Sequence, residues 1–191
     1  MNVKKTTLFN LHKKHGAKFV NFAGYEMPIQ YKDGIIAEHN LTRNKSGIFD
    51  VSHMGQLFIY GDKTLTEDLE KIFPLNLKNL NINSSKYTFL MNEDAGIYDD
   101  LIITKLEEGY LIILNAACKD NDYKILSDLL ENKYKMNLDD KRSLIAIQGP
   151  KSAEILDSII SGVRELSFMT GNWFEYKNQK IFVTRSGYTG E

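Results

Sequence analysis

The 191 residues, of which 42% are hydrophobic and 26% charged, are typical of a soluble globular protein and suffice for one core or two small ones. A formal net charge of -1 provides no electrostatic footprint for nucleic acid and no basic face that would favour a membrane surface. The single cysteine, Cys118, excludes an internal disulfide and a metal site made of several cysteines, and no apolar run approaches the ~18–20 residues that span a bilayer.

The first predicted element is a helix of the mature fold within residues 1–19. Thr7 can cap its start, Leu8 and Leu11 mark one face, and Gly16 can end it. Its lysines superficially suggest a transit peptide, but the arginine and serine usage of such leaders is missing. We therefore interpret this stretch as part of the fold.

Aromatic residues interrupted by Gly and Pro follow over residues 22–31. Because disordered linkers are poor in aromatic residues, we expect an ordered, partly buried loop there. A second short helix is predicted from Gly34 to Lys45, stopping near Gly47.

From Val51 onward, strand and helix patterns alternate. The predicted elements are a strand at 56–60, a helix at 62–73 capped by Asp62, strands at 86–92, 97–103 and 110–115, a helix at 119–133 and a strand at 143–148. This β-α-β-β-β-α-β succession favours a split βαβ unit with one extra strand. We therefore predict an α+β fold with a mixed or antiparallel sheet and helices on one face.

The last predicted elements are a helix opened by Gly149-Pro150 and a hairpin formed by residues 173–176 and 181–185. The chain then stops directly after a turn signature at residues 187–191. We expect from this ending that the sequence is a truncated chain or a fragment.

Two neighbouring aspartates lie inside an otherwise apolar strand. Successive strand side chains point to opposite faces, so Asp99 and Asp100 face different surroundings. One face carries Ile97, Asp99, Leu101 and Ile103, and the other carries Tyr98, Asp100, Ile102 and Thr104. The first set is typical of a core, and the second has the mixed chemistry of a ligand cleft. Asp100 is therefore the stronger functional candidate, although turn amides or an arginine would also satisfy such a carboxylate.

The other polar candidates are ambiguous by pattern alone. The four histidines are too scattered to suggest a metal site, and Cys118 is interpreted as a small buried residue rather than a nucleophile. Met54 and Tyr87 are compatible with simple packing, while Asn115 can close a turn or bind the edge of a heteroaromatic ring. Tyr188 lies in a glycine-flanked turn, either exposed or as part of a lid.

Five separated segments resemble the aminomethyltransferase of the glycine cleavage system, the T protein. They are residues 22–28 (FAGYEMP), 47–55 (GIFDVSHMG), 96–101 (GIYDDL), 148–150 (QGP) and 185–191 (RSGYTGE). Their order and spacing agree with the family along essentially the whole chain. This resemblance implies a folate-binding region at 1–191, in which subdomain A comprises 1–49 plus 138–191 and subdomain B, the split βαβ unit, comprises 50–137. A C-terminal barrel of the family would be absent.

The resemblance also implies a reaction. The aminomethyl group would pass from the lipoyl arm of H protein to tetrahydrofolate, giving 5,10-methylene-tetrahydrofolate and ammonia, with no metal. Asp100 corresponds to the catalytic aspartate of the family, and the folate pocket would be lined by Met54, Tyr87, Asp100, Asn115 and Tyr188. Lipoylated H protein and a folate are the implied partners, without nucleic acid or membrane. A bacterial cytoplasm is favoured over a mitochondrial matrix.

Two alternatives stay open at this point. One is a non-enzymatic folate-binding factor for iron–sulfur assembly, although the Lys-Gly-Cys-Tyr motif of that group does not occur in this sequence. The other is an inactive, truncated fragment, which would expose apolar surface meant for a missing domain.

Overall fold

The structure, a computed structural model, describes residues 3–187, and their contacts divide into two compact units. One unit comprises residues 1–53 and 141–191, and the other comprises residues 54–140. The predicted subdomain limits at 50 and 137, with the roles attached to them, stay a prediction. Within the described residues, no helix combines the length and apolar character needed to cross a membrane.

The described residues form strands and short helices in alternation. The strands are β1 (Lys18–Phe22), β2 (Tyr25–Gln30), β3 (Gly47–Asp50), β4 (Gly55–Tyr60), β5 (Ser85–Met91), β6 (Ile97–Leu106), β7 (Gly109–Leu114), β8 (Lys135–Leu138), β9 (Ile145–Gln148), β10 (Gly171–Tyr176) and β11 (Gln179–Thr184). The helices are α1 (Phe9–Lys14), α2 (Ile35–Asn44), α3 (Lys63–Ile72), α4 (Lys119–Leu129) and α5 (Ser152–Asp157), with a 3-10 helix at Val163–Glu165. The predicted α+β class is confirmed.

The unit of residues 54–140 is built on a five-stranded sheet. Its strand order is β5-β6-β7-β4-β8, and every neighbouring pair is antiparallel. The turn between β6 and β7 depends on Gly109, whose φ of +136° suits glycine and where a Cβ would collide with the Ile59 carbonyl. This antiparallel sheet is the frame that carries Asp99 and Asp100.

Helices α3 and α4 cover the sheet and close its core. The side chain of Asp62 accepts a hydrogen bond from the Thr64 backbone N–H at 2.9 Å, so the predicted cap of α3 is confirmed. The core is a continuous apolar cluster whose members include Leu57, Leu69, Phe73, Leu90, Leu101, Ile103, Ile112, Leu126 and Leu130. Leu101 and Ile103 are fully buried, as the alternation in β6 predicts.

The other unit contains three two-stranded sheets, formed by β1 with β2, β3 with β9 and β10 with β11. The last of these confirms the predicted hairpin. The prediction of a loop over residues 22–31 is wrong, because Tyr25–Gln30 pairs with Lys18–Phe22 as an antiparallel hairpin. Aromatic and β-branched side chains fit a pleated surface, and the tight turn at Ala23-Gly24 joins its strands.

Helix α1 also differs from its prediction. Thr7 does not cap it, and its hydroxyl is instead 2.7 Å from the Ser143 hydroxyl. Leu11 is 49% exposed, whereas His12 is buried. The helix therefore buries a polar side chain, that of His12, whose hydrogen-bond partners lie on other elements.

A compact hydrogen-bond network surrounds His12. Its Nδ1 lies 2.7 Å from the Tyr31 hydroxyl and its Nε2 lies 2.8 Å from Asp50 Oδ2. Asp50 also accepts hydrogen bonds from the Thr6 hydroxyl and the Ser52 backbone N–H. Burial alone would raise the pKa of Asp50, but the hydrogen bonds it accepts lower that pKa below its usual value.

One further prediction, about the edge strand of the large sheet, is wrong. Residues 143–148 were expected to supply the last strand of the split βαβ unit, but β9 pairs with β3. The strand that completes the sheet is β8, which pairs with β4 and has no strong apolar alternation of its own. Only the long-range pairing distinguishes these two short strands.

Candidate active site

The Asp100 carboxylate lies on the face of β6 opposite the buried Leu101. It is half-buried and stands directly across from Phe89 of β5, two residues along the strand from Tyr87. The Tyr87 hydroxyl lies within hydrogen-bonding reach of Asp100. Its pKa is raised, first by desolvation and then by that hydrogen bond and the charges of Asp100 and Asp99. Tyr87 is 48% exposed, so the carboxylate and the ring share an accessible surface.

Asn115 follows the end of β7 and connects both aspartates. Its Nδ2 donates to Asp99 Oδ1 at 3.0 Å and to the Asp100 backbone carbonyl at 3.0 Å, and it lies 3.3 Å from Asp100 Oδ1. One amide thus holds the backbone of β6 and orients the carboxylates on its two sides. The Asn115 carbonyl accepts the Lys119 backbone N–H at 2.9 Å, which joins this position to the start of α4.

Asp99 faces the interior, and there it meets a second acid. Asp122 of α4 is 1% exposed, and among residues 3–187 no group donates a hydrogen bond to either of its carboxyl oxygens or to Asp99 Oδ2. Burial raises the pKa of Asp122 to about 7, with the adjoining Asp99 as the second cause. On its interior side, the site therefore contains two acids, Asp99 and Asp122, with too few hydrogen-bond donors for their oxygens.

Cys118 and Lys119 lie at the start of α4, the helix that carries Asp122. Burial raises the pKa of the Cys118 thiol, and the charges of Asp99, Asp122 and Asp100 raise it further. A protonated thiol is a poor nucleophile, which agrees with the interpretation of Cys118 as a packing residue. Lys119, 1% exposed, pairs through its Nζ with Asp140 Oδ1 at 2.8 Å.

Met54 and Tyr188 complete the predicted set. Met54 is half-buried and precedes Gly55, which pairs with Leu114, so the backbone places Met54 at the same end of the sheet as Asn115. Tyr188 lies outside the described residues. The structure therefore brings Tyr87, Asp100 and Asn115 into one cluster, with Met54 at its edge.

Two cavities in the described part of the chain are lined by residues outside the cluster of Tyr87, Asp100 and Asn115. One, of about 830 Å³, lies beside Tyr98 and Met91 and is bordered by charged side chains such as Glu93 and Lys133. The other, of about 370 Å³, lies between Gln148 and Arg185 in the unit of residues 1–53 and 141–191. Neither of these two linings includes Asp100, whose carboxylate lies instead at the surface that it shares with Tyr87.

Within residues 3–187, no group of three or more His, Cys, Asp or Glu side chains is arranged to hold a metal ion. Asp122 is the site residue that the sequence analysis missed. Its signal was its position four residues before Leu126 on α4, which places it on the buried face of the helix.

The chain is similar in sequence to known proteins. The chain is 43% identical over 196 residues to a probable mitochondrial aminomethyltransferase of Schizosaccharomyces pombe, covering 100% of this chain and 50% of that protein. It is 40% identical over 200 residues to an aminomethyltransferase of Caldanaerobacter subterraneus, covering 100% of this chain and 52% of that protein. The chain thus spans about half the length of the curated relatives it matches.

A solved structure is similar as well. The crystal structure of glycine cleavage system aminomethyltransferase T from Bartonella henselae superposes with a TM-score of 0.88 at 39% identity, covering 98% of this chain and 51% of that one. The GCVT N-terminal domain family matches residues 8–191. The chain therefore belongs to the GCVT N-terminal domain family.

Proposed function

We propose that the protein carrying this chain transfers the aminomethyl group from the lipoyl arm of H protein to tetrahydrofolate, giving 5,10-methylene-tetrahydrofolate, ammonia and the reduced dihydrolipoyl arm. The observation that carries this proposal is the Asp100 carboxylate, which shares an accessible surface with the Tyr87 ring and is oriented by the Asn115 amide. The names of the relatives support the same reaction class.

The residues around Asp100 are compatible with a folate. A pterin offers a flat ring with donors and acceptors along its edge, and the site presents an aromatic ring, a carboxylate and an amide on one surface. Asp100 and Asn115 would bind the polar edge, Tyr87 would contact the flat face, and Met54 would complete the pocket on this unit. Tetrahydrofolate, when bound, supplies the amine nitrogen that accepts the carbon unit.

Asp100 would contribute in two ways. A fixed carboxylate stabilises positive charge that develops as the carbon leaves sulfur, and it does so better than mobile water because its orientation is already set. The same oxygen can take up the proton released from the attacking amine. Asn115 holds the carboxylate from the side of β7, which limits its rotation. This one group is expected to supply about 3–5 kcal/mol of the barrier reduction.

The decisive variant is Asp100→Asn, which keeps the shape and removes the charge. In the protein that carries this chain, we expect transfer activity to fall by about 10²–10⁴-fold while tetrahydrofolate binding, followed by fluorescence or calorimetry, changes far less. Asp94→Asn is the matched control, since Asp94 is an exposed acid in the turn before β6. Near-normal turnover in Asp100→Asn would refute the proposed role.

Partners and location belong to the same proposal. Lipoylated H protein would deliver the carbon unit, and a folate would receive it. A bacterial cytoplasm is the expected location, with a mitochondrial matrix as the alternative. The relatives named above are aminomethyltransferases, and no feature of the described residues favours a non-enzymatic iron–sulfur assembly factor.

A further inference from the structure

The buried acids Asp99 and Asp122 lie behind the proposed catalytic carboxylate and have no role so far. Asp122 is 1% exposed, and three oxygens of the pair receive no hydrogen bond from any residue that the structure describes. An ionised carboxylate only accepts hydrogen bonds, so two ionised acids in contact would each leave lone pairs unsatisfied and would repel each other. A buried arrangement of this kind requires a donor.

A single proton between the two acids satisfies this requirement. If Asp122 carries the proton, it donates to Asp99, which then has a donor on each side: Asp122 within the core and Asn115 Nδ2 at 3.0 Å. The pair then holds one negative charge instead of two. The pKa of Asp122, raised to about 7 by burial and by Asp99, agrees with this arrangement at neutral pH.

The chain of contacts continues to Asp100. Asn115 uses the same Nδ2 for Asp99 Oδ1, the Asp100 carbonyl and Asp100 Oδ1. A movement of Asp99 therefore changes the direction of the Asn115 amide, and the amide in turn orients the carboxylate of Asp100. The link from Asp122 to Asp100 passes through two side chains in direct contact.

The other charged and titratable groups facing this pair come from three elements. They are Asp100 on β6, Tyr87 on β5, and Cys118 at the start of α4. None of these supplies a positive charge, and the nearby Lys119 is paired with Asp140 through its Nζ. Burial and these acidic neighbours thus favour a neutral Asp122.

We propose that protonated Asp122 is a positioning residue, which holds Asp99, Asn115 and Asp100 in the orientation that the reaction needs. Loss of its proton opens the acid pair by charge repulsion and releases the Asn115 amide. This inference rests on the proposed function only in taking Asp100 as the acting carboxylate. The shared proton itself is independent of any substrate.

The first experiment observes the proton directly. Infrared spectroscopy of the full chain, titrated from about pH 5 to about pH 9, detects the carbonyl stretch of a protonated carboxylic acid. We expect one such band to persist well above the usual range for aspartate and to vanish with a midpoint near 7. It should be absent in Asp122→Asn and unchanged in Asp128→Asn, an exposed acid on the same helix. Absence of the band in the wild type, or its survival in Asp122→Asn, overturns the proposal.

The second experiment tests the positioning role. In the protein that carries this chain, the kcat for aminomethyl transfer should fall about tenfold per pH unit above the midpoint, while KM changes little. Asp122→Asn, whose amide donates at every pH, should retain activity near the wild-type maximum and lose this alkaline limb. Asp122→Leu, which cannot donate, should have low kcat at every pH although it is folded. An alkaline limb that persists unchanged in Asp122→Asn overturns the positioning role.

The two proposals fail in different ways. If Asp100→Asn proves fully active while the infrared band behaves as expected, the proposed function fails and the shared proton stands. If Asp100→Asn is inactive but no buried protonated acid is observed, the proposed function stands and this inference fails.

Discussion

The acid pair has a measurable consequence for folding. The pKa of Asp122 is 3.8 in an ordinary setting and about 7 in the folded chain, so the folded state binds more protons than the unfolded state between these values. The free energy of unfolding should therefore fall as pH rises from about 4 to about 7 and become level above that. Asp122→Asn removes the titrating group and keeps a donor to Asp99, so its stability should not show this decline.

The size of this change in stability follows from the rise in the pKa of Asp122. At about 1.4 kcal/mol per pKa unit, a rise from 3.8 to about 7 corresponds to at most about 4 kcal/mol. Water penetration and relaxation around the pair reduce this energy. We therefore expect the free energy of unfolding of Asp122→Asn to exceed that of the wild type by about 1–3 kcal/mol at about pH 8. At about pH 4 the two proteins should differ by less than about 1 kcal/mol, because both then have a donor at this position.

Urea unfolding of the full chain at several pH values measures this difference, provided that the slope with denaturant is the same for both proteins. Subtracting the two curves cancels the titration of groups that the substitution leaves unchanged, such as Asp50. Asp128→Asn serves as the control for removing one acidic charge from α4. If the difference between wild type and Asp122→Asn is independent of pH, the two acids do not share a proton and the reasoning is wrong.

Three further changes test the fold. Leu101→Ala removes a fully buried side chain from the core of the large sheet and should cost about 2–5 kcal/mol in urea unfolding, whereas a loss below about 1 kcal/mol would contradict its placement. Asp62→Ala removes the cap of α3 and should cost about 1 kcal/mol, with an unchanged Cm arguing against the Thr64 hydrogen bond. Asp50→Asn should lower stability at neutral pH, and this loss should shrink as the pH falls below about 4 through the depressed folded-state pKa of Asp50; a loss that does not change over this range would show that its charge is irrelevant.

Local pattern was sufficient for most elements of the unit at 54–140. Alternation in the apolar strand assigned Asp99 and Asp100 to opposite faces, and the structure places Leu101 and Ile103 in the core accordingly. Spacing and capping likewise predicted α3 with its Asp62 cap. These features depend on contacts between residues close in sequence, and a single sequence contains that information.

Long-range pairing is what the pattern could not supply. The strand that completes the large sheet is β8 and not β9, and residues 25–30 are a strand because they pair with β1. Both outcomes depend on which backbone groups meet across the fold, and short strands of weak alternation do not encode that locally.

The site shows the same division. The sequence by itself determined that one of the two carboxylates would point away from the core, because neighbouring side chains in a strand point to opposite faces. Only the tertiary structure decided that Asn115 would join both of them and that Asp122 would lie against Asp99, since these contacts depend on how β7 and α4 meet the end of β6. The charge state of a buried acid depends on its neighbours in space, and those neighbours come from separate parts of the chain.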